Sequence, residues 1–392
     1  MTTTDRIVVV GAGIGGLTAG LCLQEAGFDV QLVEQFDAVH EVGAGILLAP
    51  NASAVLYNRL SLGDELDAVS APMTQAALKS WRGKTLYERS VGAEDYSGPA
   101  RMIHRAALQR VLYDALGADQ VLLSSPVKGF EFADDQVAAI VEDDRHISGD
   151  ALVGADGVHS KIREQLVGDK ADPLRYHGYT CWRGITVPFE HRDFKFGSLH
   201  EIQGRGLRAG MGYVDEERVY WWATADTPEG ESDDPATIND DLGARYADFP
   251  DYFRAMLDAT PPDQILRNDI HDRRPLKQWG IKAVTLLGDA AHPMAPNLGQ
   301  GACSAIVDAD MLAICLGEAQ SLEEGLRKYE ELRRPRTTWL QGQSKRFGDV
   351  GQWKNSVAVR LREWSTALMP GGSIEKLWDK IWNYDSRRIA KG

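Results

Sequence analysis

Closely spaced cysteines are missing from this sequence. Its four cysteines, Cys22, Cys181, Cys303 and Cys315, lie far apart and show no Cys-x-x-Cys spacing. Disulfide frameworks and structural zinc sites need several cysteines at characteristic separations, so neither is expected. We predict reduced thiols and no metal site.

Long hydrophobic runs and blocks of basic residues are also missing. No apolar run is long enough to span a bilayer, and the N-terminal segment lacks the basic and apolar regions of a signal peptide. The 43 basic residues are outnumbered by 57 acidic ones, which gives a net charge of −14. Nucleic acids and anionic membranes are therefore not expected partners, and we predict a cytoplasmic protein.

The chain is long enough to form more than one core. Its 392 residues, of which 26 % are charged and 43 % hydrophobic, have an ordinary globular composition. No internal repeat or low-complexity segment is apparent. This length suits one large α/β domain with a second, interleaved unit.

A glycine-rich motif lies close to the N-terminus. Residues 6–10 form a β-branched run typical of a buried parallel strand, and apolar residues at helical spacing follow it. Gly11, Gly13 and Gly16 stand where a nucleotide-binding turn needs a tight bend, close approach to a pyrophosphate, and close helix–strand packing. Glu34 ends the second strand, where a carboxylate accepts hydrogen bonds from a ribose diol. The motif predicts a dinucleotide site without choosing between NAD and FAD.

Two further turns after apolar runs carry an aspartate. Asp156 lies in a Gly-Ala-Asp-Gly turn, and Asp289 follows a glycine in a later turn. An aspartate in a turn commonly bonds its own backbone. Gly299 and Gly301 then precede a long apolar helix, whose first N–H groups and dipole favour a negative charge.

Two other residues stand out on this side of the chain. Arg105 falls in the first turn of a predicted helix, where the helix dipole disfavours a cation, so we expect an anion or an acidic partner nearby. Gly45 would let the backbone pass close to a flat or bulky group, although a flexible loop is an equally good interpretation.

The middle of the chain, residues 175–270, is rich in aromatic residues and short alternating runs. One predicted strand places Tyr220 and Trp222 on one face and Trp221 on the other, and an acidic turn joins it to the strand carrying Arg208. We predict an antiparallel sheet that faces the substrate. The simpler interpretation, that most of these rings fill the sheet core, remains open.

Helical patterns end the sequence. A helix is predicted from Ser321 to Arg334, followed by an amphipathic tail. The apolar residues of this tail are Trp364, Leu368, Leu377, Trp378, Ile381 and Trp382. They would pack on their own domain by default, or on a partner subunit, and we expect a monomer or homodimer.

The motifs together resemble a known family. In order, the glycine turn with Glu34, the Asp156 turn and the Leu-Leu-Gly-Asp-Ala-Ala-His-Pro run at Asp289 resemble three motifs of the single-component flavoprotein aromatic hydroxylases. The resemblance covers nearly the whole chain. Residues 296–301 look like the branch that contains salicylate and urate hydroxylases and zeaxanthin epoxidases. This likeness implies FAD as the bound cofactor, with NADH or NADPH as a transient reductant that has no second glycine-motif domain.

The resemblance also implies the architecture, an α/β fold with a Rossmann-like FAD-binding domain (a parallel sheet with helices), an interleaved antiparallel-sheet substrate domain, and C-terminal helices. The expected FAD-binding segments are 1–72, 101–174 and 271–345. The expected substrate-domain segments are 73–100 and 175–270, and the C-terminal helical segment is 346–392.

Carried over onto this sequence, the family motifs imply a set of cofactor contacts. Gly11, Gly13, Gly16 and Glu34 would hold the ADP half of FAD, Arg105 would approach its phosphate-ribityl region, and Asp289 would bond the ribityl chain. Asp156 belongs to a motif associated with both FAD and reduced nicotinamide. Pro293, Gly299, Gly301 and Ala302 would line the isoalloxazine ring, and Gly45 and Ile46 would pass beside it.

The implied activity is monooxygenation. One oxygen atom of O₂ would enter an aromatic, heteroaromatic or polyene substrate through a hydroperoxide at flavin C4a, in a dry site. Arg208 and Tyr220 have the spacing of an Arg and a Tyr used near substrate by urate hydroxylases, and they are the predicted catalytic residues. Trp221 and Trp222 favour a larger, more apolar substrate. His200 and His292 are further candidate bases, the latter more structural in character.

Two alternatives remain open from the residues alone. The first is a flavin oxidase or reductase on the same fold, without oxygen insertion. The second is a non-catalytic binding module like the GDP-dissociation inhibitors, which keep the glycine turn. The Asp289 motif and the Gly299–Gly301 segment argue against the second, because such a module has no use for a ribityl contact.

Overall fold

The chain folds into a mixed α/β structure, as predicted. The computed structural model describes residues 4–38, 44–168, 172–368 and 371–390. The strands are β1 (Arg6–Val10), β2 (Asp29–Val33), β3 (Gly45–Leu48), β4 (Ser70–Pro72), β5 (Gln75–Ser80), β6 (Thr85–Ser90), β7 (Arg101–His104), β8 (Val121–Leu122), β9 (Val127–Ala133), β10 (Gln136–Val141), β11 (His146–Gly149), β12 (Ala151–Gly154), β13 (Arg175–Ile185), β14 (Ser198–Gln203), β15 (Leu207–Tyr213), β16 (Val219–Ala225), β17 (Leu266–Asp272) and β18 (Val284–Leu286). The helices are α1 (Ile14–Glu25), α2 (Pro50–Ala54), α3 (Gly63–Asp67), α4 (Arg105–Leu116), α5 (Lys161–Val167), α6 (Ile238–Arg245), α7 (Asp251–Asp258), α8 (Gly301–Glu318), α9 (Leu322–Gly351), α10 (Ser356–Leu368), α11 (Gly371–Trp382) and α12 (Ser386–Ala390).

A five-stranded parallel sheet forms the nucleotide-binding core. Its strand order is β18-β12-β1-β2-β8, with every pair parallel. The strand residues Ile7, Val8 and Val9 are fully buried, as expected for a sheet covered on both faces. Because carboxyl ends of parallel strands meet at one edge, β1, β12 and β18 bring the glycine turn, Asp156 and Asp289 together.

The second large sheet of the fold has seven strands. Its order is β17-β13-β16-β15-β14-β5-β6, and all pairs are antiparallel except β14 with β5. Helices α6 and α7 pack on one face, where Trp182, Trp221 and Phe253 belong to a shared core. Segments 75–90 and 175–272 therefore supply the strands of one sheet. The division of the chain into FAD-binding and substrate segments stays a prediction.

Two smaller antiparallel sheets complete the strands. One has the order β11-β10-β9, and the other has the order β3-β7-β4. In the second of these, β3 pairs with β7, and β7 leads directly into α4. Through β7, the small sheet fixes where Arg105 begins its helix.

The helix predicted from Ser321 to Arg334 is longer than expected. Helix α9 continues through Pro335 to Gly351, across the proposed boundary between residues 345 and 346. A proline inside a helix removes one backbone hydrogen bond and usually ends or kinks it. Here the buried residues Arg333, Thr337 and Leu340 lie on both sides of the proline, so tertiary packing outweighs the local cost.

The apolar residues of the C-terminal tail fall into a buried set and an exposed set. Ile381 and Trp382 are buried against the core, as the default interpretation predicts, whereas Trp364 and Leu368 are exposed. Among the described residues, no helix combines the length and apolar character that crossing a bilayer requires.

Candidate active site

The glycine turn after β1 has the geometry of a phosphate cradle. Gly11 has φ +103°, and a Cβ there would lie 2.5 Å from the Ala155 carbonyl oxygen. A Cβ on Gly16 would overlap the Gly11 carbonyl oxygen, whereas a Cβ on Gly13 meets no protein atom within 4 Å. Two glycines are thus required by protein packing, and the third faces open space at the start of α1. No side chain caps that helix start.

Glu34 is fixed against this turn. Its Oε2 accepts a hydrogen bond of 2.6 Å from the Ala12 N–H, and its Oε1 accepts one of 3.1 Å from the Phe36 N–H. The carboxylate at the end of β2 is therefore oriented by backbone donors beside the cradle. That is the position from which a ribose diol is recognised in dinucleotide-binding folds.

Asp156 lies directly behind the cradle. Its Oδ2 accepts hydrogen bonds of 2.7 Å and 3.2 Å from the N–H groups of Lys161 and Ile162, which caps α5. Its Oδ1 is buried without a protein partner, and burial raises the pKa of the carboxyl. A buried acceptor without a partner is costly unless something donates to it. This orphaned oxygen next to Gly11 therefore fits a ligand donor.

A buried arginine holds the turn that carries Asp289. The Arg163 guanidinium donates to the carbonyl oxygens of Ala290 and Ala291 at 2.8 Å and 2.9 Å and pairs with Asp172 at 2.6 Å. The Gly288 N–H donates to Asp308 Oδ2 at 3.1 Å. The turn is thus held on both sides.

Asp308 on α8 is the centre of a buried ionic cluster. It accepts hydrogen bonds from His292 Nε2 at 2.5 Å and Arg333 Nε at 2.6 Å, and it is fully buried. Burial alone would raise the pKa of this carboxyl, but the His292 ring and the Arg333 guanidinium outweigh burial and hold it below its ordinary value. His292 therefore has a structural role in this cluster. Because Asp308 lies on α8 and Arg333 lies on α9, the cluster also joins these two helices.

Asp289 lies in the turn after β18, at the proposed cofactor crevice. Its side chain is solvent-accessible while both chain neighbours, Gly288 and Ala290, are buried. Burial by surrounding protein raises the pKa of its carboxyl, partly offset by the positive charges of His292 and Arg105. An accessible carboxyl enclosed by protein is expected at the wall of a deep binding cleft. The positive charge of Arg105, the first residue of α4, thus acts on the Asp289 carboxyl. The anion or acidic partner expected close to Arg105 stays a prediction.

Strand β3 runs between α8 and the aromatic sheet. The Leu47 carbonyl oxygen accepts a bond of 3.2 Å from Cys303 Sγ, and a Cβ on Gly299, whose φ is +62°, would lie 3.4 Å from Leu47 Cδ2. On the other side, a Cβ on Gly45 would overlap the Tyr220 ring. The backbone of β3 therefore passes between the start of α8 and Tyr220, and only glycine permits this approach.

The aromatic face of the seven-stranded sheet borders β3. The Tyr220 and Trp222 rings stack with centroids 5.6 Å apart and an interplanar angle of 30°. Trp221 points to the other face, where its Nε1 donates to Thr260 Oγ1 at 2.8 Å. The predicted alternation is confirmed. Ala295, which follows the Pro293 segment, packs in a small cluster with Trp222, so this segment also reaches the aromatic face.

Comparisons with known proteins agree with this geometry. A family model described as an FAD binding domain matches residues 4–343. The chain is 36 % identical to the aurachin C monooxygenase/isomerase of Stigmatella aurantiaca over 379 residues, covering 96 % of this chain and 97 % of that protein. It is 34 % identical to the chloroplastic zeaxanthin epoxidase of Prunus armeniaca, covering 87 % of this chain and 54 % of that protein.

A solved structure extends the likeness to three dimensions. The structure of Klebsiella pneumoniae HpxO complexed with FAD and uric acid superposes with a TM-score of 0.88 at 28 % identity, covering 94 % of each chain. The chain belongs to the single-component FAD-dependent hydroxylases. Its membership confirms the predicted monooxygenase class and the predicted FAD cofactor.

The described residues of this hydroxylase fit FAD on their own chemistry. An open cradle at Gly13, the orphaned Asp156 oxygen and the enclosed Asp289 carboxyl follow one another along the edge of the parallel sheet. Helix α8 begins at Gly301 with no side-chain cap, and Ala302 follows in its first turn. The individual cofactor contacts named from the sequence stay predictions. The structure places the glycine turn, Asp156 and Asp289 at the same edge of the parallel sheet.

Arg208, predicted to be catalytic in this hydroxylase, is engaged with protein. Its guanidinium donates to Glu201 Oε1 at 3.2 Å and to Asn297 Oδ1 at 2.7 Å, and the residue is buried. It pairs with Thr224, whereas Tyr220 pairs with Gly212, so the two predicted catalytic residues lie four positions apart along β15 and β16. The catalytic role of Arg208 stays a prediction.

Sequence reasoning missed Arg183. Its partner in the β13–β16 register is Trp222, so it lies on the aromatic face, and its charge acts on the Tyr220 phenol. The described residues offer it no carboxylate ion-pair partner. A cation in a strand that is otherwise buried, between Trp182 and Gly184, is the signal that could have identified it.

His200 lies on the wrong face to be a base for this site. It pairs with Met211, and its ring contacts Phe194 and Tyr252 at centroid distances of 5.0 Å and 5.8 Å, beneath α7. Burial, and secondarily the positive charge of Lys79, lowers the pKa of this imidazole to about 4. The ring is therefore neutral and forms part of the sheet core.

That environment predicts an acid-sensitive stability. The folded pKa of His200 is lowered from an unfolded value of about 6.5, so its contribution is complete above pH 6.5 and is lost as the pH falls toward 4. We expect up to about 3 kcal/mol of unfolding free energy from this group. Urea denaturation of the parent and of His200→Phe at pH 7 and pH 4.5 measures it. An identical loss in both proteins would contradict the assignment.

Proposed function

We propose that this hydroxylase inserts one atom of O₂ into a flat aromatic or heteroaromatic substrate that carries an ionisable oxygen. The observation that supports the proposal is the aromatic face, where the stacked rings of Tyr220 and Trp222 lie beside the Arg183 guanidinium and opposite β3. Flat rings provide an apolar surface for a planar substrate, and a cation there orients a negatively charged group. The related HpxO structure contains uric acid, a flat heteroaromatic compound.

Each group along the crevice has a proposed role toward FAD. Gly11, Gly13, Gly16 and Glu34 hold the ADP half, while Asp156 and Arg105 lie along the path toward the ribityl chain, which Asp289 binds. Gly45, Ile46, Pro293, Gly299, Gly301 and Ala302 line the isoalloxazine ring. When bound, FAD supplies the redox chemistry with O₂, and NADH or NADPH provides the electrons transiently. The N–H groups at the start of α8 favour negative charge beside them.

The side chains of the aromatic face prepare the substrate. Burial raises the pKa of the Tyr220 phenol despite the nearby Arg183 charge, so Tyr220 is neutral, and its proposed role is to donate a hydrogen bond to the substrate. Arg183 stabilises the ionised form of a substrate hydroxyl, which makes the substrate ring richer in electrons. Proton removal is thus favoured by a fixed positive charge, and Tyr220 acts as an orienting donor instead of a base.

Replacing Tyr220 by phenylalanine tests its role. One neutral hydrogen bond to the substrate is worth roughly 1 kcal/mol, so we expect kcat/KM about five- to tenfold lower with flavin content unchanged. Tyr213→Phe is the matched control, because its hydroxyl bonds the Phe189 carbonyl oxygen on the α7 face. Steady-state kinetics that leave Tyr220→Phe indistinguishable from the control would return Tyr220 to a packing role.

Replacing Arg183 by methionine tests the substrate class. Loss of a charge-assisted hydrogen bond costs about 1.5–3 kcal/mol, so kcat/KM is expected to fall roughly 10- to 150-fold for an ionisable substrate. An analogue without the ionisable oxygen should lose much less. Arg218→Met, at an exposed ion pair with Asp215, is the control. Equal losses for both substrates would show that Arg183 does not recognise the oxygen.

The proposed activity is tested with purified yellow protein. NADH or NADPH oxidation is followed with phenols, purines, quinolones and polyenes while peroxide is measured, and the product is analysed after reaction under ¹⁸O₂. Oxidation stimulated by a compound, with one labelled oxygen in the product and little peroxide, supports the proposal. Stimulated oxidation in which all the oxygen becomes peroxide would instead indicate an oxidase.

A further inference from the structure

Helix α10 presents an apolar stripe to solvent. Val357, Leu361, Trp364 and Leu368 follow one another at spacings of four, three and four, which places them on one side of the helix. Their exposed fractions are 65 %, 59 %, 70 % and 78 %. Isolated exposed apolar residues need no explanation, but a continuous stripe of four marks an interaction surface. We call these four residues the α10 stripe.

The opposite side of α10 fixes the direction of the stripe. Arg362 is buried and donates to the carbonyl oxygens of Val350, Gly351 and Gly204 at 3.0 Å, 2.8 Å and 2.8 Å. Val359 is buried on the same side. Rolling the helix to bury the stripe would break all three hydrogen bonds, so the outward orientation is built into the fold.

Exposed cations lie on α10 and in the segments that border its N-terminal half. We call this group the basic rim, and its members are Arg82, Lys84, Arg205, Lys354 and Arg360. Arg82 and Arg205 both lie over the Trp81 ring, with guanidinium carbons 4.6 Å and 5.6 Å from its centroid. The Gly206 N–H donates to the Trp353 carbonyl oxygen at 2.9 Å, which connects that turn to the approach to α10.

Some acidic groups lie near the basic rim. The exposed Asp248 and Asp251 flank Pro250, which borders Gly83 between Arg82 and Lys84. Lys354 pairs with Asp226 at 2.7 Å, and Glu363 lies partly exposed on α10. Among the described residues, the other four cations of the rim form no ion pair with a carboxylate, on a chain whose net charge is −14. Whole-chain charge argued against an anionic membrane as a partner, but that average does not describe this one surface.

We propose that the α10 stripe and the basic rim bind peripherally to a membrane surface that contains anionic lipids. Leucine and tryptophan side chains on a helix lying in the interface enter the boundary between headgroups and acyl chains. Neighbouring lysine and arginine side chains are attracted to the negative surface potential. The combination of an outward apolar stripe with an adjoining basic rim matches both requirements.

A second copy of the chain fits this surface less well. A twofold dimer through the α10 stripe would place the same patch on both subunits. In an antiparallel pairing of the two helices, each basic rim would gain no counter-charge from the partner's stripe, and in a parallel pairing the two rims would face each other. Like charges across an interface oppose association. An anionic lipid surface complements the same cations.

The test is vesicle flotation of the full-length holoenzyme. Vesicles of phosphatidylcholine with 30 % phosphatidylglycerol are compared with vesicles of phosphatidylcholine alone, at low and high salt. We expect at least tenfold tighter binding to the anionic vesicles at low salt, and loss of most of that preference at high salt because the charges are screened. The variants are Leu361→Gln with Trp364→Gln, and separately Arg82→Glu with Arg205→Glu.

Each variant should weaken binding to anionic vesicles at least tenfold while bound FAD and thermal stability stay unchanged. Val187→Gln with Phe196→Gln is the matched control, because it removes two apolar side chains of similar exposure, 49 % and 48 %, outside α10. Equal binding to both vesicle types, or no binding, would overturn the proposal. So would a dimer of the parent, detected by light scattering, that the α10 stripe variant converts to a monomer.

Discussion

Gly13→Ala is expected to produce an apoprotein that folds normally but binds FAD roughly a hundredfold more weakly. The added Cβ meets no protein atom within 4 Å, so the chain itself tolerates it. It would, however, occupy the space in which a pyrophosphate approaches the first N–H groups of α1. Loss of one or two charge-assisted hydrogen bonds accounts for about 2.7 kcal/mol, equivalent to that factor.

Titration of apoprotein with FAD, followed by flavin fluorescence, measures this effect. Gly342→Ala on α9 is the matched control, since its Cβ also meets nothing within 4 Å and it lies outside the crevice. Gly16→Ala is a contrasting variant, because its Cβ would overlap the Gly11 carbonyl oxygen and should destabilise the apoprotein as well. Unchanged FAD affinity of Gly13→Ala would show that the cofactor does not occupy this cradle.

Asp308→Ala is expected to lower the unfolding free energy by about 3–5 kcal/mol. Removing the carboxylate leaves the Arg333 guanidinium buried without its counter-charge. An uncompensated buried charge strongly destabilises the folded state. The substitution also removes the acceptor of the Gly288 N–H, so the turn that carries Asp289 is less firmly held and FAD retention should fall. Chemical denaturation and flavin release on dilution measure the two effects separately.

Asp349→Ala is the control for that substitution. Its carboxylate pairs with Lys345 at 2.7 Å on an exposed turn of α9, where such pairs contribute at most about 0.5 kcal/mol. The lowered pKa of Asp308 means that its contribution is present above about pH 4 and is lost as the pH falls further. The parent and Asp308→Ala should therefore approach each other in stability under strongly acidic conditions. A cost for Asp308→Ala as small as that of the control would contradict the clustered arrangement.

Local sequence patterns predicted those parts of the enzyme whose conformation depends on residues that are close together in the chain. The glycine turn follows from the spacing of Gly11, Gly13 and Gly16, and parallel strand order then requires that Asp156 and Asp289 share its edge of the sheet. Tyr220 and Trp222 are two positions apart in one strand, so alternation alone predicts that their side chains lie on the same face of the sheet.

The parts that sequence missed depend on partners distant in the chain. Asp308 resembles any other helix residue until α9 brings Arg333 to it, 25 positions later. The face to which His200 points depends on the register of β14 against β15, which no local pattern specifies. Arg183 becomes a candidate only after pairing places it opposite Trp222. Helix α9 continues beyond Pro335 because its buried face also continues beyond that residue.

The hydrogen bonds of the Asn297 side chain limit how the enzyme can be engineered. The Asn297 Oδ1 accepts from Arg208, and its Nδ2 donates to the Tyr179 hydroxyl and to the Ser344 carbonyl oxygen at 3.0 Å and 2.9 Å. One amide therefore ties the substrate sheet and α9 to the loop that precedes Gly299. A chimera that imports a new sheet to change substrate range must import or rebuild these partners too. An unmatched sheet would leave the loop before Gly299, which is proposed to line the isoalloxazine ring, without its supports.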